Sequence, residues 1–422
     1  MTVEVSDHRR RARVRHATRV PSHRTFAALL GVVAAAAGFG TVFFETSLNR
    51  ATDGITTVDV SALLPSVTPS AVAEDEGLDD PSAGKAVNIL LLGSDTRLGE
   101  DNQDLGKGDV GGMRNDTTMI AHISADRSRI ELVSIPRDSR VAISDCKMLD
   151  GSTVRGWTGK FNIAFANGGS QGNVAEAAAC VMTTIYDLTG LLVDHYAVVD
   201  FSGFVDMVDA VDGVPMCIPN YVYSSKAHLE LEAGAQVLDG ETALAWARAR
   251  TGTGLGDGTD LMRIERQQEL LTNMARKVLG LNVLTDVTKG TKFVNALARS
   301  LTMDPELGDG HYLIGLAWSL RNFDTSNLYM ATVPWQYAGD GSGDVLWTQP
   351  DAQEVFSALK SDQSLKDLLE PEPTASPSAS PDASASAEPS ASADPSESPE
   401  PTASPTPLRE TEDDILADCV ID

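Results

Sequence analysis

Aspartates and arginines recur at the ends of apolar runs in the first half of the chain, and together those two side chains suit phosphate chemistry. Asp95 and Arg97 follow the first run, in Gly93-Ser94-Asp95-Thr96-Arg97. Arg114 and Asp116 precede the run Thr117–Ser124, and Arg137, Asp138 and Arg140 follow Ile130–Ile135 after Pro136. A second group comes later: Arg248 and Arg250 in Ala245-Trp246-Ala247-Arg248-Ala249-Arg250, then a Gly-rich loop, then Arg263 and Gln267. Aspartate supplies the hard oxygen that Mg2+ takes, and arginine supplies a planar fork that matches phosphate oxygens. A site holding both works by positioning and charge neutralisation and needs no protein nucleophile. There is no P-loop and no H-E-x-x-H, no pair of cysteines has metal-ligand spacing, and the seven histidines form no cluster. These residues alone indicate a phosphate group with a divalent metal and leave open which phosphate.

The elements that must position them follow from periodicity. Val87–Gly93 reads as a buried strand, and Thr117–Ser124 and Ile130–Ile135 read as a hairpin turning at Ala125-Asp126-Arg127-Ser128. Helices are expected at Ala175–Thr189, Phe204–Val211, Leu261–Leu279 and Ala352–Leu359, and strands at His195–Phe201, Val214–Ile218 and Asn327–Pro334. In the third helix Leu261, Ile264, Leu271, Ala275 and Val278 recur at helical spacing, with Asp260 in the capping position. This mixture predicts an α/β domain with a central mixed β-sheet flanked by helices. Loops from neighbouring strands would then meet at one edge of the sheet. Arg248 and Arg250 would diverge by about 200° on a continuous helix, so for both to serve one site the helix must end near Ala247. The loop Gly252–Gly258 agrees with such an ending. Arg263 and Gln267 are four apart and share a face, with Arg263 in a first turn, where backbone N–H groups favour anions.

Charge divides the chain into compartments. The 422 residues carry 33 basic and 60 acidic side chains, a net charge of -27, which argues against a broad nucleic-acid surface. Residues 1–24 nevertheless hold seven arginines against Glu4 and Asp7, and residues 25–44 contain no charged side chain. Twenty residues at about 1.5 Å each match a hydrocarbon core of about 30 Å. With the basic flank inside, the expectation is a single-pass cell-membrane protein: a cytoplasmic segment over 1–24, a transmembrane helix over 25–44 and everything after it extracytoplasmic. A cleaved signal peptide is the alternative, and it exports the rest equally. Residues 45–86 read as a stalk, 87–369 as the catalytic domain, and 370–407, almost wholly Pro, Ala, Ser, Thr, Glu and Asp, as a disordered linker. The tail 408–422 carries Cys419. Cys146, Cys180, Cys217 and Cys419 all fall on the exported side, predicting two disulfides of three possible connectivities.

The motifs NILLLGSDTR, RNDTTMIAHI, SIPRDSRV, KFNIAFANGG, DHYAVVDFSGFVDMVDAVDGV, LDGETALAWARAR and DLMRIERQQELL occur in this order, and over Val87–Leu279 the sequence resembles the LytR-CpsA-Psr (LCP) family. The resemblance implies a membrane-anchored phosphotransferase acting outside the cell. Its donor would be a polyprenyl-pyrophosphate-linked glycan and its acceptor peptidoglycan, at the 6-hydroxyl of muramic acid. Carried over by motif, Asp95 and Asp116 match the Mg2+ and pyrophosphate aspartates, and Arg137, Arg248, Arg250 and Arg263 the pyrophosphate-binding arginines. Gln267 matches the polar residue one turn beyond, and Arg97, Arg114 and Arg140 are added as substrate-binding residues. Asp95, Asp116, Arg137 and Arg250 are the expected catalytic set. Hydrolysis of the donor pyrophosphate, or non-catalytic glycan binding at the cell wall, are the alternatives. A DNA-binding regulator is excluded by an exported acidic domain.

Overall fold

In the run Val87–Ser94, Leu90 and Leu92 point to one face and Val87 and Ile89 to the other, and all four are buried. A strand with two apolar faces must lie inside a sheet covered on both sides. The structure is a computed structural model that describes residues 55–65, 80–95, 113–256, 260–280 and 300–370 together with Cys419. Its strands, in chain order, are β1 (Thr56–Thr57), β2 (Val87–Ser94), β3 (Asn115–Ile123), β4 (Ile130–Ser134), β5 (Arg140–Ala142), β6 (Cys146–Lys147), β7 (Thr153–Val154), β8 (Thr158–Lys160) and β9 (His195–Val199). There follow β10 (Val214–Ile218), β11 (Val222–Ser224), β12 (Leu229–Leu231), β13 (Gly234–Leu238), β14 (Leu301–Met303), β15 (Leu328–Thr332), β16 (Trp335–Tyr337) and β17 (Val345–Trp347). The α-helices are α1 (Ile163–Gly168), α2 (Val174–Thr189), α3 (Phe201–Ala210), α4 (Gly240–Arg248), α5 (Asp260–Gly280), α6 (Gly310–Ser319), α7 (Asp351–Lys360) and α8 (Leu365–Leu369).

Seven strands form the central sheet in the order β1-β14-β9-β2-β3-β4-β15. β2 runs parallel to β9 and β4 to β15, whereas β3 is antiparallel to both its neighbours, so the sheet is mixed as expected. On one face Leu90, Leu92, Ile120, Val133 and Tyr196 pack with Ala178, Val181 and Ile185 of α2 and Phe356 of α7. On the other, Val87, Ile89, Ala121 and Met303 pack with Tyr312 and Leu316 of α6. A separate cluster joins Val208 of α3, Met216 of β10, Val222 of β11, Trp246 of α4 and Leu270 of α5. Helix boundaries have local causes. Asn173 accepts from the backbone N–H groups of Ala175 and Glu176 to open α2, and Gly190, at φ 69°, closes it.

Several expectations need correction. The run His195–Phe201 is not one strand: β9 stops at Val199, because Asp200 accepts from the Gly203 N–H and opens α3 at Phe201. Val214–Ile218 is a strand, but it pairs with β13 outside the central sheet. Part of the segment read as a stalk is folded, since β1 pairs parallel with β14 and Val60 and Leu63 are buried in the core. The four cysteines do form two disulfides as expected, and of the three connectivities the structure has Cys146–Cys180 and Cys217–Cys419, which ties Cys419 to β10. The apolar segment 25–44 and the Pro/Ala/Ser stretch lie outside the described residues. Among the described residues no helix is long and apolar enough to cross a membrane.

Candidate active site

The register of β2 against β3 places Asp116. Gly93 pairs with Thr117 but the next residue, Ser94, pairs with Asn115, so Asp116 is an extra residue bulged out of the ladder. A bulge twists the strand and re-aims its side chain, and this one lies where β2 ends and β3 begins. One residue past Ser94, the Asp95 N–H donates to the Arg114 carbonyl at 2.9 Å, and Asp95 Oδ1 accepts from the Arg114 N–H at 2.7 Å. The two aspartates therefore sit on adjacent strand ends, with the Arg114 backbone fixing Asp95. The Arg114 side chain itself is exposed.

Two arginines contact Asp116, and a third acts on it through its charge. Arg137, just past the end of β4, hydrogen-bonds Asp116 Oδ1 through Nη1. Arg263, in the first turn of α5, lies 3.6 Å from Oδ2 and donates to the Asp116 backbone carbonyl at 3.1 Å. Arg248, at the end of α4, stands with its guanidinium 4.1 Å from the centre of the Phe201 ring, a cation–π contact. Burial alone would push the Asp116 carboxyl up, but the positive charges of Arg263, Arg137 and Arg248 outweigh it and hold the carboxyl below its usual range. The side chain of Arg263 is 2% exposed and that of Asp116 is 26% exposed, so the cluster is partly open to an anion arriving from outside.

The rest of the predicted set has other work. Gln267 is engaged at both ends of its amide: Oε1 accepts from the Thr117 hydroxyl and Nε2 donates to the Ala247 carbonyl, each at 3.0 Å. It therefore braces β3 against the end of α4. Arg140 is not brought to the cluster; Asp340 and Asp344 hold it at 2.7 Å each. It stands at the far end of a chain of ion pairs running from Arg137 through Asp138, Lys160 and Asp344. α4 does end as its arginines require, one residue later than read, with Ala249 at ψ 131° and Arg250 exposed beyond it. Arg97 lies outside the described residues.

Sequence reasoning missed Arg266. It is buried and donates from Nη1 to the Leu255 carbonyl at 3.2 Å and from Nη2 to the Ala249 carbonyl, so it ties both ends of the loop that carries Arg250. The signal was present, since positions 263, 266 and 267 are spaced three and four apart and share one helix face. Gln268 was also missed; its amide nitrogen donates to the Ser134 hydroxyl at 3.0 Å and the Thr332 hydroxyl at 3.2 Å, clipping α5 to β4 and β15. The pattern Gly168-Gly169-Ser170-Gln171-Gly172 fits the G-x-S-x-G of serine hydrolases. It lies at the end of α1, in a 3-10 turn over Gly169–Gln171, and not on a strand-to-helix elbow.

Among the described residues no group of three or more His, Cys, Asp or Glu side chains could hold a metal ion unaided. Mg2+ at phosphate sites needs less, taking one or two carboxylates and completing its shell with substrate oxygens and water. Asp95 and Asp116 have the donor chemistry for that arrangement.

A model of the LytR_cpsA_psr family matches residues 58–362, which include every predicted site residue. The chain belongs to the LytR_cpsA_psr family. A probable cell wall biosynthesis protein, LcpB of Corynebacterium glutamicum, is 32% identical over 283 residues, covering 65% of this chain and 61% of that protein. A TagU of Enterococcus faecalis, a polyisoprenyl-teichoic acid–peptidoglycan teichoic acid transferase, is 29% identical over 222 residues, covering 53% and 62%. The match thus spans less than two thirds of the length of these relatives. A LytR-Csp2A-Psr enzyme from Actinomyces oris has the same fold, with a TM-score of 0.50 at 18% identity over 72% of this chain and 95% of that one. The match begins at residue 58, directly after β1, and so takes in Val60 and Leu63, whose side chains are buried in the core.

Proposed function

We propose that this LytR_cpsA_psr chain is a membrane-anchored phosphotransferase, working on the outer side of the cell membrane. It would move a phosphoglycan from a polyprenyl-pyrophosphate carrier to the muramic acid 6-hydroxyl of peptidoglycan. One observation carries the reading: Arg137, Arg248 and Arg263, from three separate elements, all act on the bulged Asp116. Such a convergence is built for a multiply charged anion. The transferase names of relatives such as TagU support the substrate class, and the uncharged segment 25–44 after a basic head supports the anchor.

In this mechanism Arg137, Arg248 and Arg263 neutralise and orient the pyrophosphate, and Arg250 adds charge from the loop beside them. Mg2+ held through Asp116 would supply further neutralisation of the phosphate oxygens and leave the Asp95 carboxylate available as a base, since one carboxylate does not serve as both tight metal ligand and free base. Because Asp116 is held in its ionised form by its arginines, it is a poor proton acceptor and a good electrostatic anchor. Asp95, on the adjacent strand end, takes the proton from the acceptor hydroxyl. The hydroxyl oxygen bonds to the phosphorus that carries the glycan, the bond to the bridging oxygen breaks, and polyprenyl phosphate leaves with that electron pair.

The test is transfer in vitro by the full chain, with a synthetic polyprenyl-pyrophosphate glycan, a peptidoglycan oligomer and Mg2+. Phosphodiester-linked product is expected from the wild type, and a fall of about 100-fold or more from Arg137→Ala, the scale of losing one charged stabiliser of the transition state. Free phosphoglycan without linked product would indicate hydrolysis instead. An untouched donor in the presence of folded protein would sink the reading.

A further inference from the structure

The loop after α4 does more than carry Arg250. Thr253 and Tyr223 exchange backbone hydrogen bonds, Thr253 N–H to the Tyr223 carbonyl at 2.9 Å and Tyr223 N–H to the Thr253 carbonyl at 3.1 Å. The Ser224 hydroxyl donates to the Thr251 carbonyl at 2.7 Å. The loop is therefore joined by a one-residue bridge to the free edge of the β11–β12 pair, and one side of this small sheet is sealed into the protein. Val222, Ser224, Leu229 and Leu231 are buried there.

The other side is open. Tyr221 and Tyr223, two apart on extended backbone and separated by buried Val222, share this outer face and are 39% and 46% exposed. Glu230 is directly across from Tyr223 in the β11–β12 register, and its Oε1 accepts from the Tyr221 hydroxyl at 2.9 Å, which fixes that ring. Thr253, opposite Tyr223 on the loop side, is exposed as well. A row of carboxylate, aromatic ring and hydroxyl thus runs from β12 across β11 to the bridged loop, with a second ring beside it. Three residues before Thr253 on the same loop is Arg250.

Aromatic faces set among carboxylate and hydroxyl groups match a pyranose chain, whose C–H faces lie on the rings while hydroxyl and acetamido groups meet the polar atoms. Tyrosine suits that task, with a rigid apolar body and a polar tip at low entropic cost. Charge decides which glycan. Glu230, with exposed Glu232 on the same hairpin, repels a phosphorylated stretch and accepts an uncharged N-acetylated one. We propose that Tyr221, Tyr223, Glu230 and Thr253 form the subsite that docks the uncharged saccharide backbone of the acceptor beside the phosphate-binding arginines. This rests on the transferase reading above and adds where the acceptor lies.

The experiment measures binding alone, by calorimetric titration of the full chain in detergent with a soluble oligosaccharide of alternating N-acetylglucosamine and N-acetylmuramic acid whose lactyl carboxyl groups are amidated, so that the saccharide carries no charge. The wild type is expected to bind, and Tyr221→Ala combined with Tyr223→Ala to weaken binding about tenfold or more, as for aromatic hot spots. Tyr223→Trp, which keeps an aromatic face, should stay close to wild type. Trp318→Ala, which removes an exposed aromatic from α6, should change nothing. Thermal unfolding of each variant separates lost contact from lost fold, and if the double variant is unfolded, Glu230→Gln and Thr253→Ala must lower the affinity in its place. Equal affinity in folded wild-type and variant proteins, or no binding by the wild type, overturns the proposal. A parallel titration with the polyprenyl-pyrophosphate donor keeps the two readings apart: donor binding without oligosaccharide binding defeats only the acceptor subsite, and oligosaccharide binding without donor binding defeats the transferase reading.

Discussion

Arg266 is the residue on which the placement of the others depends. Its guanidinium serves two backbone carbonyls, Ala249 and Leu255, and lies over the Trp246 ring at 5.6 Å. Burial and the neighbouring Arg263 charge both push its pKa down, so the protein holds a charge here at a cost. Arg266→Met keeps much of the volume and leaves the two carbonyls without their donor. Hydrogen bonds to a charged group are worth about 1.5–3 kcal/mol, so a loss of that order is expected in urea unfolding, with transfer activity falling because Arg248 and Arg250 flank the released carbonyl. Unchanged stability would mean that the loop is held by β11 alone. Asp95, Asp116 and Arg137 stood out in the sequence because they lie at the ends of apolar runs, and Arg248 and Arg263 because of their places at a helix end and in a helix's first turn. Arg266 did not, because a brace and a surface charge look alike until the carbonyls they serve are known. Arg140 shows the same limit from the other side: it stands beside Arg137 in sequence, and its partners Asp340 and Asp344 lie far along the chain.

At the scale of elements, what could be read was local. β2, β3, β4, α2 and α7 were each legible from periodicity within a few residues, since each is long enough to show its period. The strand that would have run to Phe201 fails because an apolar run cannot reveal that Asp200 caps a helix. The ending of α4 was legible for a chemical reason, because two arginines two apart cannot share a helix face. What the sequence could not show is where the following loop docks. At Gly252 the backbone has φ 151°, and an added Cβ would collide with the Tyr223 carbonyl oxygen. Gly252→Ala is therefore expected to lift the loop off β11 and cost more than about 1 kcal/mol, the penalty of a side chain where the backbone conformation excludes one. Thermal melts and transfer rates should fall together. A variant that keeps wild-type stability and loses nothing in rate would show that the loop does not need the β11 edge.

On the scale of the whole molecule the question is where the folded unit begins. The site is gathered at one end of the sheet, where β2, β4 and β9 finish, and the opposite end is closed by a polar network in which His122 meets Asn88 at 2.8 Å and Asp362 at 3.1 Å. Asp362 in turn receives Arg129 at 2.8 Å, so the chain beyond α7 is pinned across the base. The amino-terminal edge is closed as well. β1 runs beside β14, the Tyr196 hydroxyl donates to the Val58 carbonyl at 2.8 Å, and Leu63 is buried in the same cluster as Leu90 and Phe356. A two-residue strand has no period to read, and its partner lies far along the chain, which is why the segment passed for a stalk. The two readings differ by a measurable amount. In a solvated stalk Leu63→Ala should fall within about 0.5 kcal/mol of wild type. As a core side chain its removal should cost about 2–5 kcal/mol, the lost burial plus the void left among its neighbours. The structure requires the larger value in urea unfolding. It also requires that a chain shortened to begin at Val87 be less stable than one beginning at Ala51, because the shorter chain lacks both the edge strand and the side chains that cover this side of the core.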